Sequence, residues 1–308
     1  MFKKILIALI ALVVLYVGLS YLYPAPVAKV LLQAEYARVH LERKELDTDD
    51  GLHWVYLDGG SGDPLVLIHG FGADKDNWTK VAEYLTPHYR LIAPDLQGFG
   101  DSTKSATANY TIEDQVGTLH AFVQKLGLQN VSMGGSSMGG HIAMAYAAKY
   151  PNEVKSLWLI GPAGINTAPP SELAQLIDKG GRNPLLAQTW GEFNGIFSFV
   201  MTEPPFVPGI ILHYKAQQRI ANYELEQRIF KEIRASARAE DQIKGLATPT
   251  RVLWGDKDRA LSYEGAQIIV KLMPNASATI MPGIGHLPML ERPREAAEDY
   301  LKFRSQIK

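Results

Sequence analysis

The stretch Val131-Ser-Met-Gly-Gly-Ser-Ser-Met-Gly-Gly-His141 constrains this chain more than any other. An apolar run enters four glycines, and an alanine-rich segment, Gly140 to Lys149, leaves them. Small residues at such a junction let a strand turn sharply into a helix, and a side chain at the apex is then presented beside the helix N-terminus, where negative charge is stabilised. Framed on Ser137, the stretch reads Gly135-Ser-Ser137-Met-Gly139, a full G-x-S-x-G match. Framed on Ser136 it needs glycine where Met138 stands, and Ser132 has no flanking glycines. Ser137 is therefore the expected nucleophile.

The surrounding pattern supports a parallel α/β sheet. Short apolar runs at 65–68, 89–93, 156–160, 250–254 and 277–281 read as strands, the first being the continuous kind expected when both faces are buried. Helical segments at 78–85, 111–126 and 291–306 separate or close them, and His53 to Leu57 is a further strand. Residues 27–36 read as a helical connector. The rhythm breaks between 162 and 246, where helical, proline-punctuated sequence replaces it; so long a stretch between two strands is an inserted helical cap rather than a loop. The expected organisation is an N-terminal segment at 1–26, a core in two parts at 27–161 and 247–308, and the cap at 162–246.

A serine hydroxyl needs a histidine base held by a carboxylate. Three histidines follow Ser137. His141 lies one turn into the helix and His213 in the cap, whereas His286 stands in the glycine turn Pro282-Gly-Ile-Gly-His-Leu-Pro288 after the last strand. His286 is the expected base. Two aspartates, Asp256 and Asp258, follow the preceding strand and both are candidates for the acid. Asp258 lies further into the loop, where ligand-facing groups gather, and Asp256 is better placed to order the turn. The oxyanion hole is expected from the N–H after the nucleophile, Met138, and from Phe71 in His69-Gly-Phe-Gly72, whose glycines allow close backbone approach. His69 reads as a buried brace, Asp95 as a turn-fixing residue, and Trp78 and Trp158 as core.

These motifs resemble the α/β-hydrolase superfamily: HGFG at 69–72, PDLQGFGDS at 94–102, GSSMGG at 135–140, WGDKD at 254–258 and GIGH at 283–286. With residues 69–78, Gly161-Pro-Ala-Gly164 and Glu291-Arg-Pro293, the chain is similar to membrane-anchored monoacylglycerol lipases and to bacterial lipases and esterases with a small cap. Ser136 departs from relatives that often carry Asn or Thr there. The resemblance implies a Ser137, His286 and Asp258 triad, two-step acyl transfer, and no metal or organic cofactor. It is also what chiefly favours Asp258 over Asp256.

The remaining features bear on substrate and place. Lys plus Arg is 31 and Asp plus Glu is 32, so nothing argues for a nucleic-acid partner. The absence of cysteine excludes disulfides and a thiol nucleophile. Ile5 to Tyr23 carries no charge, and as a helix would span about 28 Å, near the thickness of a bilayer core. It reads as an uncleaved N-terminal membrane helix; the alternative is a cleaved signal and secretion. Lys3 and Lys4 place the catalytic domain on the non-cytosolic side, against which Lys29, Arg38, Arg43 and Lys44 weigh. Apolar cap residues, among them Phe197, Phe199, Met201, Phe206 and Ile210, are candidate contacts for an acyl chain, with packing onto the core as the alternative. The expected activity is hydrolysis of lipid or other apolar esters. A carbon–carbon bond hydrolase would use the same triad, and a non-catalytic binding protein would share the fold. Dehalogenases and epoxide hydrolases need an aspartate at the position of Ser137.

Overall fold

A computed structural model describes residues 2–22 and 24–307. Helices α1 (Phe2–Leu22) and α2 (Pro24–Arg38) precede the sheet. The alternating part then runs β1 (Leu41–Asp47), β2 (His53–Gly60), β3 (Asp63–Ile68), α3 (Thr79–Leu85), β4 (Tyr89–Pro94), α4 (Ile112–Lys125), β5 (Val131–Ser136), α5 (Met138–Lys149) and β6 (Val154–Ile160). Five helices follow: α6 (Glu172–Asp178), α7 (Trp190–Val200), α8 (Gly209–Ala221), α9 (Tyr223–Ala235) and α10 (Ala239–Ile243). The chain closes with β7 (Thr250–Gly255), α11 (Gly265–Leu272), β8 (Ala276–Met281), α12 (Pro288–Glu291) and α13 (Pro293–Ser305).

The eight strands form one sheet in the order β1-β2-β4-β3-β5-β6-β7-β8. Pairings from β4 through β8 are parallel, and β2 joins β1 and β4 antiparallel. Side chains alternate between two cores, as the strand period of two requires. Val66 and Ile68 of β3 join Leu157 and Leu159 of β6 beneath α4 and α5. Leu65, Leu67, Trp158 and Ile160 face the other way, with Trp78, α3 and α13. Trp78 and Trp158 are thus core on the second face, as expected. Helix α4 starts on a capping box in which Thr111 Oγ1 accepts from Asp114 N–H and the Asp114 carboxylate accepts from Thr111 N–H.

Two features depart from the sequence reading. Strand β1, Leu-Glu-Arg-Lys-Glu-Leu-Asp, was not expected. It is an edge strand in which Glu42, Glu45 and Asp47 face solvent and Arg43 and Lys44 are half-buried in ion pairs, so it carries no apolar alternation. The expected membrane segment, Ile5 to Tyr23, is helical through Leu22, with Ile5 to Val17 exposed. The side chains of 19–22 and all of Tyr23 lie outside the described residues. Among the described residues, no helix is long and apolar enough to cross a membrane.

Candidate active site

Within residues 131–140 only Ser137 is not buried. Its backbone sits at φ 55° and ψ −118°, a positive φ that L-residues other than glycine, Asn and Asp rarely adopt. The turn is fixed on three sides. Ser137 N–H donates to Ile160 O at 3.0 Å, and Ser137 O accepts from Gly140 N–H at 3.0 Å and Ala163 N–H at 2.9 Å. The flanking glycines are steric necessities. A Cβ on Gly135 would lie 2.2 Å from Gly139 O, and one on Gly139 would lie 2.1 Å from Ile68 O. Ser136 is fully buried with its hydroxyl unpartnered, which disqualifies it as an attacking group.

Of the two aspartates, the structure brings Asp258 to His286: Oδ2 lies 2.6 Å from His286 Nδ1. That carboxylate is saturated. Trp254 Nε1–H donates to Oδ2 at 2.8 Å, and the Ala260 and Leu261 N–H groups donate to Oδ1 at 2.8 and 2.9 Å. Its side chain is fully buried and that of His286 nearly so, so the pair is held in one geometry, and carboxylate contact at Nδ1 leaves Nε2 free to handle a proton. Asp256 accepts from Gly283 N–H at 2.7 Å and thus pins the histidine loop from its far end. No hydrogen bond joins Ser137 Oγ to His286; both line the same cavity, and such contacts often tighten only when substrate is bound.

The loop after β3 packs against Ser137: a Cβ on Gly70 would lie 3.1 Å from Ser137 Cβ. His69 is fully buried and braces this loop, its Nδ1 2.8 Å from Gly70 O and its Nε2 accepting Leu96 N–H at 3.0 Å. Burial lowers its pKa, which keeps it in that neutral tautomer. Asp95 fixes its own turn by accepting Asp101 N–H at 2.7 Å. It also accepts Lys75 N–H at 2.7 Å and pairs with the buried Lys75 ammonium at 2.9 Å. The N–H groups of Phe71 and Met138 find no backbone acceptor among the described residues.

A cavity of about 640 Å³ opens above Ser137 and His286. Phe197, Met201 and Phe206 line it, together with Phe193, Ile196 and Val200. Phe199 and Ile210 do not. Phe199 packs with Leu173 and Ala260 beneath the Arg259 guanidinium, and Ile210 packs with Ala28 and Ile211 against α2. In an apolar helix, one face meets the cavity and the opposite one must meet protein. His213 lies on α8, stacked on Trp190 with centroids 3.9 Å apart. His141 is buried, and burial lowers its pKa to about 4.

Sequence reasoning missed three residues that hold the site. Trp254, four residues before Asp258, supplies the indole N–H above. Glu291 is buried and accepts from Gly285 N–H at 3.0 Å, and from Thr202 N–H and Glu203 N–H at 2.8 and 2.9 Å. With His286 N–H donating to Val200 O at 2.7 Å, it fastens the histidine loop to the end of α7. Arg219 of α8 donates to Gly72 O at 2.5 Å.

Comparison with known proteins gives the family. Residues 63–189 match the family model of the α/β hydrolase fold. Lipase 3 of Moraxella sp. (strain TA144) is 41% identical over 286 residues, covering 90% of this chain and 89% of that protein. The monoacylglycerol lipase abhd6-B of Xenopus laevis is 30% identical over 262 residues, 80% of this chain and 77% of its own. The solved structure of a membrane phospholipase A, described as a bacterial virulence factor, superposes with a TM-score of 0.90 and 36% identity over 99% of both chains. The chain belongs to the α/β-hydrolase fold family. Within it, this is a carboxylic ester hydrolase of the lipase type.

Proposed function

We infer that the chain cleaves acyl esters of membrane glycerolipids through Ser137, His286 and Asp258. The observation that carries the reading is the saturated, buried Asp258 carboxylate at 2.6 Å from His286, facing the cavity that also holds the strained Ser137. His286 Nε2 takes the Ser137 hydroxyl proton as Oγ attacks the ester carbonyl. The oxyanion rests on the Phe71 and Met138 N–H groups, and each such donor contributes about 3 kcal/mol to the transition state. The alcohol leaves with the proton from His286. Water then attacks the acyl-enzyme, giving its proton to His286, and the fatty acid departs as Ser137 is restored. Asp258 holds the imidazole in the required tautomer and stabilises the imidazolium.

Helices α6 to α10 act as the cap, and Phe197, Met201 and Phe206 receive the acyl chain. The apolar, exposed face of α1 supports insertion of the N-terminal segment in a membrane, with the catalytic part outside the cytosol as Lys3 and Lys4 suggest. Two relatives inform the glyceride class: the Xenopus protein is named for monoacylglycerols and the superposing membrane enzyme for phospholipids. The test offers the full chain monoacylglycerols, diacyl glycerophospholipids and a vinylogous diketone. Fatty acid release from either lipid supports the reading and selects the class. Turnover of the diketone alone would replace it with carbon–carbon bond hydrolysis.

A further inference from the structure

We propose that Arg219 is a positioning residue for the oxyanion-hole loop, so that the cap completes the catalytic centre instead of merely covering it. The proposal rests on the reading of the Phe71 N–H as an oxyanion donor. Arg219 projects from α8 and uses its guanidinium in three directions. One amino group donates to Gly72 O at 2.5 Å, the other to Leu185 O at 2.7 Å, and Nε donates to Glu226 of α9 at 2.8 Å. Gly72 directly follows Phe71, so its carbonyl lies two peptide units along from the one that carries the proposed donor N–H. A planar guanidinium bridging three acceptors fixes that carbonyl more tightly than a single hydrogen bond would.

The fit is mutual. Gly72 has a φ of +67°, and a Cβ there would lie 2.4 Å from the Arg219 guanidinium carbon. The space a side chain would occupy is thus held by the arginine. Glu226, buried and paired to Nε, keeps the guanidinium from turning into the cavity. One turn earlier on the same face of α8, Lys215 meets Asp74 and Asp76, each at 2.5 Å. Helix α8 therefore grips residues 72–76 at two points. An oxyanion donor acts only if its N–H is already aimed when charge develops; His69 and the Ala73 N–H hold the loop at Gly70 O, and Arg219 holds it on the other side of Phe71, at Gly72 O.

The experiment measures a short water-soluble ester, p-nitrophenyl acetate, whose acyl group is too small to span the cavity. Arg219→Ala is expected to lower kcat about tenfold or more with KM within about twofold, because the lost contact acts in the transition state. Arg219→Lys, which keeps the charge but not the fork, is expected to fall between the two, and guards against misfolding of the alanine variant. Gly72→Ala is expected to lower kcat in the native background and by less in the Arg219→Ala background, where the strain of an L-residue at φ +67° remains but the collision with the guanidinium is gone. Unchanged kcat in both Arg219 variants, a rise in KM alone, or additive effects of Gly72→Ala would each overturn the proposal. If the unaltered chain hydrolyses no ester, the serine-hydrolase reading itself fails and takes this inference with it; activity that is retained while Arg219 proves dispensable defeats the inference alone.

Discussion

The floor and the roof of the cavity are built by different physics. The floor is backbone and saturated polar contact: Ser137 at a positive φ between two glycines that admit no Cβ, and Asp258 accepting from Trp254, Ala260, Leu261 and His286. The roof is apolar side chain from α7 and the loop after it, fastened to the floor at polar points that include Arg219 to Gly72, Lys215 to Asp74 and Asp76, and Glu291 to Thr202 and Glu203. The difference teaches a division of labour. On the proposed reading, the reacting groups are held by saturated hydrogen bonds and backbone sterics, whereas the groups proposed to receive the lipid are held by packing, which tolerates change.

The sharpest way to break that division is to remove the nucleophile. Ser137→Ala is expected to cut kcat on any ester by about 10⁴-fold or more while lipid binding to the roof persists, measured by turnover and by equilibrium binding of a non-hydrolysable ether analogue. The floor can also be attacked through its support. Lys75 is buried against Asp95 and Asp101; burial opposes its charge, but Asp95, Asp76 and Asp74 outweigh that and push its pKa up. Lys75→Met leaves Asp95 buried and unpaired, so a loss of about 3–5 kcal/mol is expected in urea denaturation.

The pH dependence of stability probes a third element, α5 behind the elbow. The pKa of His141 is about 4 in the folded chain because burial disfavours its charged form, against about 6.5 when unfolded. The depressed value means its contribution is intact above pH 6.5 and is lost as pH falls toward 4, where the unfolded state binds the proton first. His141→Leu is therefore expected to lose up to about 3 kcal/mol less than the native chain between pH 7 and pH 4. The smallest effect belongs to the roof. Phe197→Ala is expected to raise KM for long-chain esters about 5- to 30-fold, about 1–2 kcal/mol of lost burial, with kcat on a short ester nearly unchanged.

How far the sequence foretold this molecule follows the same division. The elbow was legible because its geometry is local: glycines at fixed offsets around one serine can do little else. Strand faces were legible wherever both were apolar, and β1 was not, because its charged residues face water or ion partners at an edge. Asp256 and Asp258 could not be separated on residues alone, since both leave the same strand and only the fold shows which one meets His286. Phe199 and Ile210 were misjudged because apolar composition does not reveal which face of a helix is turned to a cavity. Glu291 stood in a recognised motif yet had no role, its partners Thr202 and Glu203 lying 89 and 88 residues away. Arg219 was invisible for the same reason, at 147 residues from Gly72. Contacts that fasten roof to floor are long-range, and a single sequence carries no mark of them.

The central claim is that Ser137, alone among three neighbouring serines, is the activated nucleophile. The most direct test is mass spectrometry of the peptide covering 131–149 after reaction of the full chain with a fluorophosphonate, with Asp258→Asn in parallel. The account predicts a single phosphonyl adduct on Ser137, formed far more slowly in the Asp258→Asn chain. An adduct on Ser132 or Ser136, or labelling at an equal rate when Asp258 is replaced, would contradict it.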